Sequence, residues 1–186
     1  MALISASTIL TSLCLFHITL AYFFYTDPQA IADQALVWVL GEATGMPETQ
    51  HFAAPSPASS FLAVMLLLLG LSDLMTLSMP QEIWLVHYWG SQAPARIIVF
   101  GLLALFTYIT SPSSSYHHHH HHHNPKLFGP ESGTDGLRNR VFFVFALIEF
   151  LSWLWAWVTL KEEAAVFAAR KRRRSSNTGA RERSNP

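Results

Sequence analysis

Apolar residues in this chain gather in long blocks instead of alternating with polar ones. A bilayer's hydrocarbon core is about 30 Å thick, so a spanning helix needs roughly 20 mostly apolar residues. Four stretches meet or approach that length. Ser7 to Tyr25 carries no charge and ends at Thr26-Asp27-Pro28, where a turn or a new helix start is favoured. Ser59 to Met79 is stopped by Pro80 and interrupted only by Asp73. Ala95 to Ser111 has Pro94 and Pro112 at its edges; it is short, and a tilted or re-entrant path stays open. Val141 to Leu160 contains Glu149 and gives way to Lys161-Glu162-Glu163. Without strand-like alternation the runs read as helices, not as a membrane barrel. The expected fold is all-α: an integral membrane four-helix bundle over residues 1–163, with short interfacial helices and a basic helical tail from 164 to 186.

Two weaker segments lie between the spans. Pro28 to Leu40 mixes Ile31, Leu36, Val37, Trp38, Val39 and Leu40 with Asp33 and Gln34. It predicts one short helix at the interface or packed beneath the bundle. Glu82 to Trp89 holds two Trp and a Tyr, aromatics enriched at headgroup depth. The first span has an alternative reading as a signal peptide, given the cleavage-like Ala30-Ile31-Ala32. Against that, it lacks a basic n-region and exceeds the usual apolar length of about 7–15 residues.

Composition agrees with the pattern. Of 186 residues, 51% are hydrophobic and 13% charged, against about 25% charged in soluble domains. The formal net charge is zero, but residues 1–95 contain six acids and no Lys or Arg, while eight of twelve basic residues follow Leu160. Lys161 and the run Arg170-Lys171-Arg172-Arg173-Arg174 flank the last span, and such clusters mark a cytosolic end. Four spans then place both termini in the cytosol. Lys126, Arg138 and Arg140 run against this orientation but are fewer and more scattered. The five-residue basic run is expected to touch anionic headgroups, at about 1 kcal/mol per residue, and not nucleic acid. The tail is expected to stay helical to about Arg174.

Residues 112–140 are rich in Pro, Gly and Ser and read as a flexible loop. His117 to His123 form an unbroken run of seven. Imidazoles bind Zn, Cu or Ni, but a specific site needs fixed geometry and supporting contacts. Repeat expansion is the plainer reading, an internal affinity tag another. Cys14 stands alone, which excludes a disulfide framework and a Cys-built metal site. No cofactor, metal or catalytic motif is expected.

Asp73, Glu149 and His17 fall inside spans. A carboxylate at a helix centre costs roughly 2.5–3.5 kcal/mol on insertion scales, so it faces a partner or water. Small or polar neighbours at helical spacing, Gly70 and Thr76 for Asp73 and Ala146 and Ser152 for Glu149, turn both acids into the bundle. Matched depth pairs Asp73 with Arg96, which can snorkel inward from the start of its span, and His17 with Glu149. These pairs read either as a polar clamp or as a proton or cation path. The clamp is favoured, because ion pathways show several acids at matched depths.

Three blocks, 13–47, 61–109 and 136–163, resemble the fungal family named increased loss of mitochondrial DNA protein. The most specific words are Gly70-Leu71-Ser72-Asp73, Gln92-Ala93-Pro94-Ala95-Arg96 and Arg138-Asn139-Arg140. The histidine run looks like an insertion relative to the family pattern. The resemblance implies a multi-pass protein of the endoplasmic reticulum membrane whose loss impairs mitochondrial genome maintenance, an indirect and non-enzymatic role. The rival class is a small ion channel or transporter using Asp73 and Glu149. Expected partners are the bilayer, anionic lipids at the tail and a membrane protein of unspecified identity.

Overall fold

Residues 4–48, 52, 54–110 and 137–183 are described by the structure, a computed structural model, with side chains described through Arg173. The helices are α1 (Ala6–Thr26), α2 (Gln29–Ala32), α3 (Ala35–Thr44), α4 (Pro57–Thr76), a π-helical stretch at Ile83–Tyr88, α5 (Trp89–Ile109) and α6 (Arg140–Arg183). No strand occurs among the described residues. Four helical runs, α1, α4, Ile83–Ile109 and α6, are long and apolar enough to cross a membrane. The chain is an all-α membrane protein.

Local chemistry sets several boundaries. Ser5 caps α1 by accepting from the Thr8 amide at 3.2 Å. Ser56 and Ser59 cap α4 reciprocally, with Pro57 at its first turn, where a missing N–H costs nothing. The Asn139 side chain accepts from the Phe142 amide at 2.8 Å and starts α6. The expected single helix over 28–40 is two: extended backbone at Gln34 (ψ 132°) ends α2 and begins α3. Gly45 closes α3 at φ 64°, a left-handed conformation that only glycine adopts cheaply.

The third span departs most from expectation. The helix does not begin at Ala95; it runs unbroken from Ile83 to Ile109, with Pro94 inside it. Proline removes an amide donor and crowds the carbonyl four residues back. The turn upstream is already widened, with the Trp89 amide donating to Trp84 O five residues earlier. The Ser91 hydroxyl bonds His87 O and Tyr88 O at 2.9 and 3.0 Å, adding a side-chain donor to two carbonyls at the end of the widened turn. Arg96 therefore stands at the middle of a helical run and not at its edge. The second span ends earlier than expected, at Thr76, and the tail helix runs on to Arg183 without a break from the last span.

Packing follows small residues. α1 lies along α4, and α5 along α6. An added Cβ at Gly70 would sit 3.0 Å from Cys14 O, and one at Gly101 would sit 3.1 Å from the Phe150 ring. Close approach at small residues is how helices associate where lipid is as apolar as leucine. Two apolar clusters result. One, near the tail end, gathers Leu10, Leu13, Leu85, Trp89, Trp153 and Leu160. The other gathers Ala21, Phe24, Val37, Leu66 and Val144. His17 and Glu149 fall between them in sequence on α1 and α6.

Candidate functional site

All four intramembrane polar residues singled out from the sequence lie in one strip, with His17, Asp73 and Glu149 buried and Arg96 partly so. Arg96 makes a two-pronged contact with Asp73, Nη1 to Oδ2 at 2.6 Å and Nη2 to Oδ1 at 2.9 Å. The side chains are 16% and 3% exposed. The fork of a guanidinium matches a carboxylate in this geometry, which makes it the strong form of the pair. Asp73 lies one turn before the end of α4, and the Thr76 hydroxyl donates back to its backbone carbonyl at 2.7 Å.

Two fully buried tryptophans extend the strip, one of them Trp89, expected at headgroup depth. The Arg96 guanidinium carbon lies 4.6 Å from the centre of the Trp153 ring and 5.3 Å from that of Trp89. The two rings stack at 5.2 Å with 23° between planes. Aromatic faces are partially negative and attract a cation, so Arg96 is held by a carboxylate and by π-faces. The Trp153 indole then donates to Glu149 Oε2 at 2.9 Å. Glu149 Oε1 lies 3.0 Å from His17 Nε2, but without hydrogen-bond alignment. Both His17 nitrogens and Glu149 Oε1 are buried with no hydrogen-bond partner, as is Trp89 Nε1. The histidine contact is a close approach and not a formed hydrogen bond.

The order is His17 on α1, Glu149 and Trp153 on α6, Arg96 on α5 and Asp73 on α4. One strip touches every span. Its legible signals were Trp153 four residues after Glu149 and Trp89 seven before Arg96, both helical spacings. The pairs expected at separate depths are joined through Trp153, and the helix that carries Arg96 begins about three turns before its apolar run suggests.

The tail carries further contacts that sequence reading missed. Glu163 Oε1 accepts from the Ala6 amide at 2.7 Å, placing a carboxylate on the exposed donors at the start of α1. Lys171 pairs with Glu82, and this partner holds the Glu82 carboxyl below its ordinary range, first through the hydrogen bond and then through charge. Arg170 to Arg173 are exposed on α6; the Arg174 side chain and the histidine run His117–His123 lie outside the described residues. Among the described residues no three His, Cys, Asp or Glu side chains gather as a metal site would require.

The family model described as increased loss of mitochondrial DNA protein 1 matches residues 4–170. No curated protein and no solved structure matches the chain.

Proposed function

The chain belongs to the increased loss of mitochondrial DNA protein 1 family, and from that premise we propose that it is a non-enzymatic protein of the endoplasmic reticulum membrane that supports mitochondrial DNA maintenance indirectly. Both termini lie in the cytosol in this reading, on the strength of the basic run Arg170–Arg174 after the last span. The exposed Arg170, Arg172 and Arg173 then meet anionic headgroups, while a partner membrane protein transmits the effect.

The observation that supports this reading is the strip itself. Its strongest charges, Asp73 and Arg96, are spent on each other at 2.6 and 2.9 Å, which suits a clamp holding four helices in one arrangement. A path would leave them facing a lumen. The rival reading, an ion channel or transporter, draws on a different observation: the unpartnered atoms of His17 and Glu149 at the far end of the strip. Reconstituted flux separates the two. With a clamp, vesicles containing the protein conduct protons and alkali cations no faster than empty ones, while strains carrying Asp73→Ala lose both the protein and mitochondrial DNA. Flux that disappears with Glu149→Gln overturns the clamp.

A further inference from the structure

Beneath α2 and α3 lies a cavity of about 330 Å³. Its walls are Phe24 on α1 and Val144 and Phe145 on α6; Ile31 on α2 and Leu36 and Val37 on α3 roof it. The two polar side chains on its lining are already engaged. Thr19 donates to Leu15 O at 2.8 Å, and the Gln34 amide donates to Ala30 O at 3.0 Å.

The setting determines what fills such a space. Water needs two to four polar partners to occupy a cavity, and apolar cavities stay dry. An empty one forfeits the dispersion contacts of its whole lining. This cavity borders two membrane-spanning helices, so the medium at hand is hydrocarbon. Along α1 it runs from Phe16 to Phe24, about 12 Å at 1.5 Å per residue, close to one leaflet's share of a core about 30 Å thick. Phe16 and Ile148 lie at its inner end, where they also line a separate groove toward Ile4.

Charge at the rim narrows the head group. Asp27 accepts from the amide of Ala30, a lining residue, at 3.3 Å, and exposed Asp33 precedes Gln34. Arg140, a cation at this end of the bundle, is turned to Glu48 at 3.3 Å and against Gly41. Two carboxylates at the mouth repel an anionic head.

We infer that this cavity holds one acyl chain of a zwitterionic glycerolipid, taken from the leaflet at the α3 end of the bundle. Its head rests beside Gln34, and its chain passes under α3 to end against Phe16 and Ile148. A chain lodged there completes the packing between α3 and the bundle, so α3 becomes a lid whose seating depends on lipid.

Photo-crosslinking tests this in the full-length protein. Nanodiscs of phosphatidylcholine are doped with phosphatidylcholine bearing a diazirine at the chain terminus, and adducts are mapped by mass spectrometry. The expected adducts concentrate on Phe16, Val144 and Phe145, at least fivefold above Phe61 and Leu68 on the lipid-facing side of α4. Leu20→Trp and Ala30→Leu each fill the cavity from a different wall. In either one that keeps the wild-type elution profile, the enrichment falls to the α4 level. Native mass spectrometry of the unsubstituted protein reads the same site without mutation and is expected to retain one phosphatidylcholine. Uniform labelling, enrichment that survives filling, or no retained lipid overturns the site. Preferential capture of a photoreactive fatty acid or phosphatidylserine overturns the head-group assignment.

Discussion

Removing the carboxylate of Asp73 leaves Arg96 buried without its counter-ion, and the cost follows from the contacts. Two charge-assisted hydrogen bonds are lost, each worth roughly 1.5–3 kcal/mol, and breaking a buried pair costs about 3–5 kcal/mol in soluble proteins. Membrane hydrogen bonds measure weaker than these, and Trp89 and Trp153 still face the guanidinium at 5.3 and 4.6 Å. The lower end applies: Asp73→Ala loses about 3 kcal/mol, roughly a 150-fold shift toward the unfolded state. Asp73→Asn keeps an acceptor and loses about half as much. Arg96→Ala is worse than Asp73→Ala, at about 5 kcal/mol, because it strands a carboxylate beside ring faces that do not attract it.

The ring geometry also predicts the exchange variant. Asp73→Arg with Arg96→Asp restores the charge pair on paper but points an anion at two π-faces, so it recovers little. Unfolding in mixed micelles titrated with sodium dodecyl sulfate, followed by tryptophan fluorescence, measures the series. Equal losses for the two alanine variants, or full recovery in the exchange, would refute the reasoning, because either result means the tryptophans contribute nothing to Arg96. Normal stability in Asp73→Ala would mean the carboxylate is solvated and the pair is no clamp.

Gly70→Val should cost about 1–3 kcal/mol by overpacking, since its Cβ would meet the Cys14 carbonyl at 3.0 Å, whereas Gly90→Ala, 3.7 Å from its nearest neighbour, should be neutral or slightly stabilising in the same titration. Gly45→Ala forces φ 64° on a side chain and should cost about 1–2 kcal/mol, with Gly45→Asn milder. The Glu82 carboxyl is lowered in the folded protein from its ordinary 4.5, so its contact with Lys171 is fully present above that value and is lost as pH falls through the lowered one. Amide exchange in the 161–173 segment, corrected for intrinsic rates, should therefore rise only in strong acid, and Glu82→Gln should show the raised exchange already at neutral pH.

The sequence showed where the apolar runs lie and which polar groups interrupt them, because a bilayer imposes length and penalises charge in ways a single chain displays. It did not show where the third helix begins. Hydropathy places the edge at Ala95, since Trp, His, Tyr and Gln lower the score from Trp84 to Gln92. The backbone instead continues through a π-helical turn, two of whose carbonyls accept from Ser91. That displacement moved Arg96 from the rim to the middle of its helix and hid its contact with Trp153. The break between α2 and α3 escaped for a related reason: it rests on one extended residue, Gln34, with no Pro or Gly to mark it. Glu163 and Lys171 read only as part of a solvated tail, since their partners Ala6 and Glu82 are remote in sequence.

In water, burial of apolar area would tell these helices how to pack. In lipid that drive is absent between apolar faces, and leucine slides against leucine as readily as against an acyl chain. The strip supplies the missing instruction, since each span brings a polar group into it in one register: His17, Asp73, Arg96, and Glu149 with Trp153. A one-residue slip turns a helix by about 100° and shifts it 1.5 Å, enough to put a carboxylate or guanidinium into hydrocarbon. Small residues then decide how close the registered helices come, with Gly70 against Cys14 and Gly101 against Phe150. The grip is uneven along the strip. Asp73, Arg96 and Trp153 are mutually satisfied, which fixes α4, α5 and α6, whereas α1 is tied to α6 by the proximity of His17 to Glu149 and by the Ala6 amide on Glu163 at 2.7 Å, and to α4 through Gly70 by shape. Neither tie to α6 reaches past His17 toward α3, and the lipid-filled cavity proposed beneath α3 lies along that part of the seam between α1 and α6.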